Sequence, residues 1–204
     1  MQRKRLWPGG IATLLLMLCS ACGPQQQTVR DDAVTDPDAT ARFAVATGVT
    51  RFDPHRATSS YDNTWLFPVY DRLIHMDPAG RAVPGLASAW HYGDGGAYLE
   101  LELREGVRFH DGVPFDAAAV AANIERAQSV TGSSVRAELE RIERIEILAP
   151  LRVRLHLDQP DGALPLILSD RAGMMISPAA FDSPGLDRRG VGAGPFRHAE
   201  FRLG

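Results

Sequence analysis

The side chains that could take part in catalysis or bind a metal are spread along the chain and do not form a motif. The Gly-x-Ser-x-Gly elbow of a Ser-His-Asp hydrolase is absent. The glycines between 190 and 194 are followed by Pro195, which prevents the helix that a dinucleotide-binding loop requires. No histidines show the spacing of a zinc or iron site; they stand at positions 55, 75, 91, 110, 156 and 198. We therefore predict no catalytic residue, no metal site and no cofactor, and a protein that is not an enzyme.

Composition and charge exclude further classes of function. The chain has 204 residues, of which 45% are apolar, so it can bury the core of one sizeable domain or two small ones. Its net charge is −3 and its basic residues are dispersed, which argues against nucleic acid as a partner. Carboxylate pairs such as Glu138 with Glu140 fall on helix flanks and turns, where solvated faces account for them.

The first residues form an export signal. Residues 3–5 are basic, residues 11–18 are apolar, and the stretch ends in small residues at Cys22. The apolar run is shorter than the roughly 18 to 20 residues that a transmembrane helix needs. Residues 23–40 contain little that could be buried, so we expect a flexible spacer between the signal and the fold.

Beyond the spacer, the apolar periodicity predicts an α/β fold with short elements. A helix capped by Ser59 or Ser60 should carry Trp65 and Tyr70 on its apolar stripe, with a kink or a broken start at Pro68. A further helix should follow the cap residue Asp116. Strands are predicted over 42–47, 98–103, 107–109, 142–147, 152–157 and 174–176, and helical segments over 86–90, 117–127, 135–140, 163–168 and from 177.

Four segments together carry a resemblance to a known family. They are Val69-Tyr-Asp-Arg-Leu, Pro84-Gly-Leu-Ala-Ser-Ala-Trp90, the stretch 103–115, and Gly192-Ala-Gly-Pro-Phe196. Their order resembles the extracellular solute-binding proteins of ABC transporters, family 5, which capture oligopeptides, dipeptides, nickel complexes and similar solutes. In the last segment, Ala193 stands where the family has a threonine.

The resemblance implies an incomplete periplasmic-binding-protein-like fold of class II, also called cluster C. Residues 41–204 would be the N-terminal part of the solute-binding domain. Within it, 66–189 would form the inserted small mixed α/β subdomain, and the flanking residues would belong to the first lobe. Because the family's second lobe follows this region, we expect residues 23–204 by themselves to bind a solute weakly or not at all.

The N-terminus resembles a bacterial lipobox, in which the cysteine is lipidated and becomes the first mature residue. This makes residues 1–21 a lipoprotein signal peptide, Cys22 the lipidation site and 22–40 a tether. The alternative is ordinary signal-peptidase cleavage after Ala21. A lipidated protein would be exported and held on the outer face of the cytoplasmic membrane or in the periplasm.

The resemblance also points to ligand-binding positions. In the nickel-type branch of the family, an arginine at what looks like the position of Arg171 meets the carboxylate of a bound metallophore. An arginine suits that role because its planar fork pairs bidentately with carboxylates; the alternative is an exposed arginine beside Asp170. The other expected cleft residues are Thr47, Arg51, Tyr61, Asp62 and Asn63.

The function implied is that of a substrate-binding lipoprotein of an ABC importer. It would capture peptides, or a similar small solute such as a nickel complex, and deliver them to the membrane permease. The alternative is a lipid-anchored surface interaction module, or a truncated receptor without transport activity.

Overall fold

The computed structural model describes residues 39–202. The chain divides into two units, Met1–Ala44 and Val45–Gly204. In the first unit, the described residues 39–44 contain no helix or strand. Cys22, the expected signal peptide over 1–21 and most of the expected tether lie outside the described residues.

The described part of the second unit, residues 45–202, contains six strands, three α-helices and short 3₁₀ helices. The α-helices are α1 (Asn63–Val69), α2 (Ala117–Ser129) and α3 (Leu164–Ile167). The strands are β1 (Ile74–Met76), β2 (Ala82–Pro84), β3 (Ala87–Gly93), β4 (Tyr98–Leu103), β5 (Ile142–Ala149) and β6 (Arg152–Leu157). The 3₁₀ helices are Ser60–Asp62, Asp94–Gly96, Ala137–Leu139, Arg171–Gly173 and Pro178–Ala180.

A four-stranded antiparallel sheet forms the larger part of the fold. Its strand order is β3-β4-β6-β5, and β1 and β2 form a separate antiparallel pair. Leu101 on β4 lies opposite Trp90 on β3 and Val153 on β6. The leucine face predicted for 98–103 is confirmed, because Leu99 and Leu101 are fully buried. Of the glutamates predicted on the other face, Glu102 is exposed, whereas Glu100 is buried beneath Arg152 and Arg154, with which it pairs.

Helix α2 packs against this sheet and forms where the sequence predicts it. Its run of alanines has high helix propensity. Asp116 caps the helix, since its Oδ1 accepts a hydrogen bond of 2.9 Å from the Ala119 amide. The buried face includes Val120 and Ile124, so the helix covers the apolar side of the sheet.

The segment 86–90 was predicted as a helical turn, and this prediction is wrong. Ala87–Gly93 forms strand β3, which pairs antiparallel with β4 across the turn that follows Gly93. A short apolar run carries no clear period of its own. The backbone hydrogen bonds offered by β4 therefore decide its conformation.

Four other predicted elements also differ in the structure. The strand predicted over 107–109 forms only an isolated bridge, between Arg108 and Pro114. No strand forms over 42–47, because these residues enter no ladder of backbone hydrogen bonds in the described part of the chain. The segment 174–176 contributes only an isolated bridge, between Met174 and Arg72. The helix predicted over 135–140 shortens to the 3₁₀ helix Ala137–Leu139.

The buried apolar side chains form two clusters. The larger lies between the sheet and α2, and its members run from Leu73 to Met175. The smaller surrounds α1 and combines residues from Phe52 to Tyr70 with residues from Met174 to Leu186. Tyr70, which was predicted on the apolar stripe, is fully buried here together with Leu66, whereas Trp65 is only half-buried.

The glycines of the 192–196 segment permit a close approach to the end of α1. The Gly194 amide donates to the Val69 carbonyl at 2.9 Å, and the Phe196 amide donates to the Pro68 carbonyl at the same distance. A Cβ on Gly192 would lie 2.3 Å from the Val69 carbonyl oxygen, inside van der Waals contact. These positions therefore need glycine for packing rather than for binding a phosphate.

Candidate functional site

The carbonyl oxygen of Ala57 joins three segments of the chain. It accepts a hydrogen bond of 2.6 Å from Nη1 of Arg171, at the start of the Arg171–Gly173 3₁₀ helix. It also accepts one of 2.6 Å from Oγ of Ser134, in the turn after α2. The guanidinium of Arg171 is thus held by the main chain, which fixes its direction.

The turn that carries Ala57 is anchored by a buried ion pair. Asp53 is 1% exposed, and its carboxylate takes a bidentate contact from Arg126 on α2, with Nη2–Oδ2 at 2.7 Å and Nη1–Oδ1 at 3.1 Å. Arg126 Nη1 also lies 2.9 Å from Nδ1 of His55. The pair therefore fixes the turn to α2, and the same turn contacts Arg171 through the Ala57 carbonyl.

His55 is fully buried in this network. Loss of hydration lowers the pKa of its imidazole to about 4, with Asp53 opposing the shift and Arg126 adding to it. A neutral ring has a lone pair at Nδ1, which accepts a hydrogen bond from Nη1 of Arg126. His55 is thus a neutral structural histidine.

Asp170 connects the Arg171 segment to α1. Its Oδ1 caps the 3₁₀ helix by accepting a bond of 2.8 Å from the Arg171 amide. The same oxygen accepts a bond of 2.8 Å from Nδ2 of Asn63, the first residue of α1. Two of the predicted site residues, Asn63 and Arg171, are therefore brought to the same place.

Asp62 has a different environment from its neighbour Asn63. Its side chain is fully buried, and its carboxylate accepts hydrogen bonds from the amide and hydroxyl of Thr50 at 2.7 and 2.6 Å. It also closes a capping box with Ser59. Asp62 therefore holds the 47–51 loop against the start of α1 and does not present a carboxylate at the surface.

The other predicted positions lie in two further places. Thr47 and Tyr61 line a small cavity of about 200 Å³, and Tyr61 is 68% exposed. The Thr47 carbonyl also accepts a bond of 3.2 Å from Nε1 of Trp65. Arg51 instead pairs with Asp187 at 3.1 Å. The six predicted positions thus do not converge on one point within the described residues.

Glu138 is a group near Arg171 that the sequence pattern did not single out as functional. Burial raises the pKa of its carboxyl, the positive charge of Arg171 lowers it, and the negative charge of Asp170 raises it. These electrostatic effects relate Glu138 to the Arg171 segment, although Glu138 itself is exposed and forms no ion pair with Arg171 within residues 39–202. Only the fold could reveal this, because Glu138 and Arg171 belong to different elements.

Residues 39–202 contain no group of three histidine, cysteine, aspartate or glutamate side chains placed to hold a metal ion. Within the same range, none of the helices has the length and apolar character needed to cross a membrane.

Residues 81–204 match the family model described as bacterial extracellular solute-binding proteins, family 5 Middle. The glutathione-binding protein GsiB of Escherichia coli O1:K1 is 34% identical over 190 residues, which are 92% of this chain and 34% of that protein. The chain spans about a third of the length of the curated relatives it matches.

Two solved structures are similar to the described fold. NikZ from Campylobacter jejuni, in complex with Ni(L-His), has a TM-score of 0.68 and 26% identity, covering 76% of this chain and 32% of that one. NikA from Brucella suis, in complex with Fe(III)-EDTA, has a TM-score of 0.69 and 28% identity, covering 79% and 33%. With the family match over residues 81–204, these similarities establish the family: the chain belongs to the bacterial extracellular solute-binding proteins of family 5.

Proposed function

We propose that this protein captures a small carboxylate-bearing solute, such as a peptide or a nickel complex, outside the cytoplasmic membrane for an ABC permease. The observation that supports the proposal is the way in which the Arg171 side chain is held. Its Nη1 is fixed on the Ala57 carbonyl, while Nε and Nη2 make no hydrogen bond to another described residue. A guanidinium that is fixed at one nitrogen and has N–H donors left at the other two is suited to bind a carboxylate.

The relatives support this class of solute. GsiB is named for glutathione, and the NikZ and NikA structures contain Ni(L-His) and Fe(III)-EDTA. All three ligands carry carboxylate groups. Arg171 would be the carboxylate partner in this chain, with Asn63 beside it.

The remaining cleft residues of the proposal are Thr47, Tyr61 and Arg51. Tyr61 offers an exposed aromatic face next to Thr47, which suits the apolar part of a solute. Arg51 is only half exposed and already pairs with Asp187, so its contribution would require that pair to open. Asp62 would act by fixing the loop that carries Thr47 and Arg51.

Capture would follow the two-lobe mechanism of the family. A solute that contacts both lobes binds the closed state better than the open one, and this difference drives closure. The closed form would then dock on the permease. No covalent step is involved.

The proposal includes a lipid anchor at Cys22, after removal of residues 1–21. The tether over 22–40 would let the protein reach solute while it stays near the permease. Metabolic labelling with a radioactive fatty acid should mark the wild-type protein and leave the Cys22→Ser variant unlabelled. Secretion of an unlabelled wild-type protein would favour cleavage after Ala21 instead.

The transport function is tested by uptake of isotope-labelled glutathione, nickel-histidine and dipeptides into cells that lack the gene. We expect uptake of at least one solute to fall and the wild-type gene to restore it. Arg171→Gln should fail to restore it, whereas Arg81→Gln, which removes an exposed arginine paired with Asp77, should succeed. Equal uptake of every solute with and without the gene would contradict the function.

A further inference from the structure

A cavity of about 390 Å³ lies between the turn that follows Phe109 and the segment 183–198. Its wall includes five charged or titratable side chains, those of His110, Asp111, Arg189, Arg197 and His198. We call it the Arg189 cavity. Among the described residues, none of the six predicted ligand-binding positions lines it. A ligand bound here would therefore occupy a second site.

The two arginines of the Arg189 cavity have donors without partners. Arg197 is held by a hydrogen bond of 2.6 Å from its Nη1 to the His110 carbonyl, and its Nε and Nη2 bond to no other described residue. The Arg189 side chain is exposed and forms no hydrogen bond or ion pair within residues 39–202. Both guanidinium groups can therefore donate to an anion.

The carboxylate on the cavity wall, that of Asp111, is already engaged. Its Oδ2 accepts a hydrogen bond of 2.6 Å from the hydroxyl of Ser177, and its Oδ1 accepts one of 3.1 Å from the Val113 amide. The negative charge of Asp111 opposes an anion, but two arginines against one aspartate leave one net positive charge when the histidines are neutral.

His110 adds an acceptor that lacks a partner. Its Nε2 lies 2.8 Å from the Gly194 carbonyl oxygen, which can only accept, so Nε2 carries the proton. In the neutral ring, Nδ1 is then an acceptor, and this atom is buried without a hydrogen-bond partner among the described residues. Because an unpaired buried acceptor is unfavourable, the site favours a ligand that has a hydrogen-bond donor of its own.

We propose that the Arg189 cavity binds inorganic phosphate through these side chains. Phosphate oxygens would accept hydrogen bonds from Arg189 and Arg197, and the P–OH group that phosphate keeps at neutral pH would donate to Nδ1 of His110. Sulfate has a similar shape but no proton at this pH, so it could bond to the arginines and not to the histidine. The inference goes beyond solute capture and does not depend on it.

The test is a calorimetric titration of inorganic phosphate and of sulfate, at pH 7.5, into the protein as produced from its own gene. We expect phosphate to bind about tenfold more tightly than sulfate, because one hydrogen bond to a charged group is worth roughly that factor. Glycerol 3-phosphate should bind more weakly than inorganic phosphate, because a monoester has lost its P–OH proton at this pH. Tighter binding of the monoester would overturn the assignment to free phosphate.

Two variants test the side chains separately. His110→Gln keeps an N–H for the Gly194 carbonyl but loses Nδ1, so the affinities for phosphate and sulfate should come within about threefold of each other. Arg189→Gln should weaken the binding of both ions about tenfold. An unchanged preference for phosphate in His110→Gln would overturn the proposed role of the histidine.

Arg188→Gln is the matched control, because Arg188 is the exposed neighbour of Arg189 and lines a different cavity. It should leave both affinities unchanged. Equal losses in the two arginine variants would mean that surface charge alone attracts the ions, and would overturn the site. Absence of phosphate binding to the wild-type protein, or equal binding of phosphate and sulfate, would also overturn it, whereas the transport function is judged separately by the uptake measurement.

Discussion

Among single residues, Arg126 has the strongest claim to a structural role. It is the only charged side chain paired with the buried Asp53 carboxylate within residues 39–202, at 2.7 Å. The pair lies 73 positions apart in sequence and joins α2 to the turn that carries Ala57. The orientation of Arg171 therefore depends on a contact that Arg171 does not itself make.

Replacement of Arg126 by methionine should strongly destabilise the fold. The change would leave Asp53 buried without its partner, which typically costs about 3 to 5 kcal/mol. Urea unfolding followed by circular dichroism measures the difference. Arg141→Met removes a half-exposed partner of Asp158 and should cost about 1 kcal/mol or less. Similar losses in the two variants would argue against the anchoring role of the buried pair.

His55 should make stability depend on pH. The folded state holds its pKa near 4, while the unfolded chain has the ordinary value of 6.5. Below pH 6.5 the unfolded state binds the extra proton and the folded state does not, so stability is complete above that value and is lost as the pH falls towards 4. The loss attributable to His55 is about 3 kcal/mol.

Urea unfolding at pH 7.5 and at pH 4.5 provides the check. The His55→Asn variant keeps an acceptor for Arg126 but cannot titrate, so its stability should fall less over this interval than that of the wild type. His91→Asn, at an exposed position on β3, should behave as the wild type does. The same pH dependence in all three proteins would rule out a buried neutral histidine.

At the scale of elements, the contact between α1 and the 192–196 segment fastens the returning chain to the smaller core. A methyl group at position 192 would meet the Val69 carbonyl oxygen at 2.3 Å, and backbone cannot move aside as a side chain can. We expect Gly192→Ala to cost about 1 to 3 kcal/mol, the usual range for overpacking. Thermal unfolding would register this as a lowered melting temperature.

Gly162→Ala serves as the control, since a Cβ there would meet no atom within 4 Å. It should be neutral or slightly stabilising, because alanine restricts the unfolded chain. A melting temperature for Gly192→Ala equal to that of the control would mean that the two segments are not packed closely.

Local signals explain which elements could be predicted from the sequence. Helix α2 has a cap at Asp116 and a run of helix formers, and β4 alternates strictly, so both follow from residues close in sequence. The segment 86–90 has neither signal, and its strand conformation comes from pairing with β4. The helix prediction for 86–90 failed because a partner strand, and not the local sequence, decided the conformation.

The same reasoning applies to the candidate site. Arg171 was identified through the resemblance of its surroundings to the family. The link from Arg126 to Asp53 and the position of Glu138 were not predicted, because no spacing along the chain indicates them. Asp62 was predicted as a cleft residue by the resemblance of its segment to the family, whereas the structure buries it against Thr50.

For the whole molecule, membership of the solute-binding family and the contact of Arg171 with the Ala57 carbonyl support the same proposal. That proposal is the capture of a small solute that carries a carboxylate. The described fold holds the Arg171 guanidinium on the Ala57 carbonyl and caps its segment with Asp170, and the family of the protein is extracellular. The chain spans about a third of the length of its curated relatives, and capture of a solute by the protein as its own cells produce it stays a proposal.

The most direct test is a calorimetric titration of that protein, purified from its own cells, with glutathione, nickel-histidine and a set of dipeptides. We expect saturable binding of at least one of these solutes at one site per molecule. The dissociation constant should be about 1 μM or tighter, equivalent to about 8 kcal/mol of binding free energy. Arg171→Gln should abolish that binding. Failure of the folded wild-type protein to bind any of the solutes, or full affinity in Arg171→Gln, would contradict the proposed capture of a solute through Arg171.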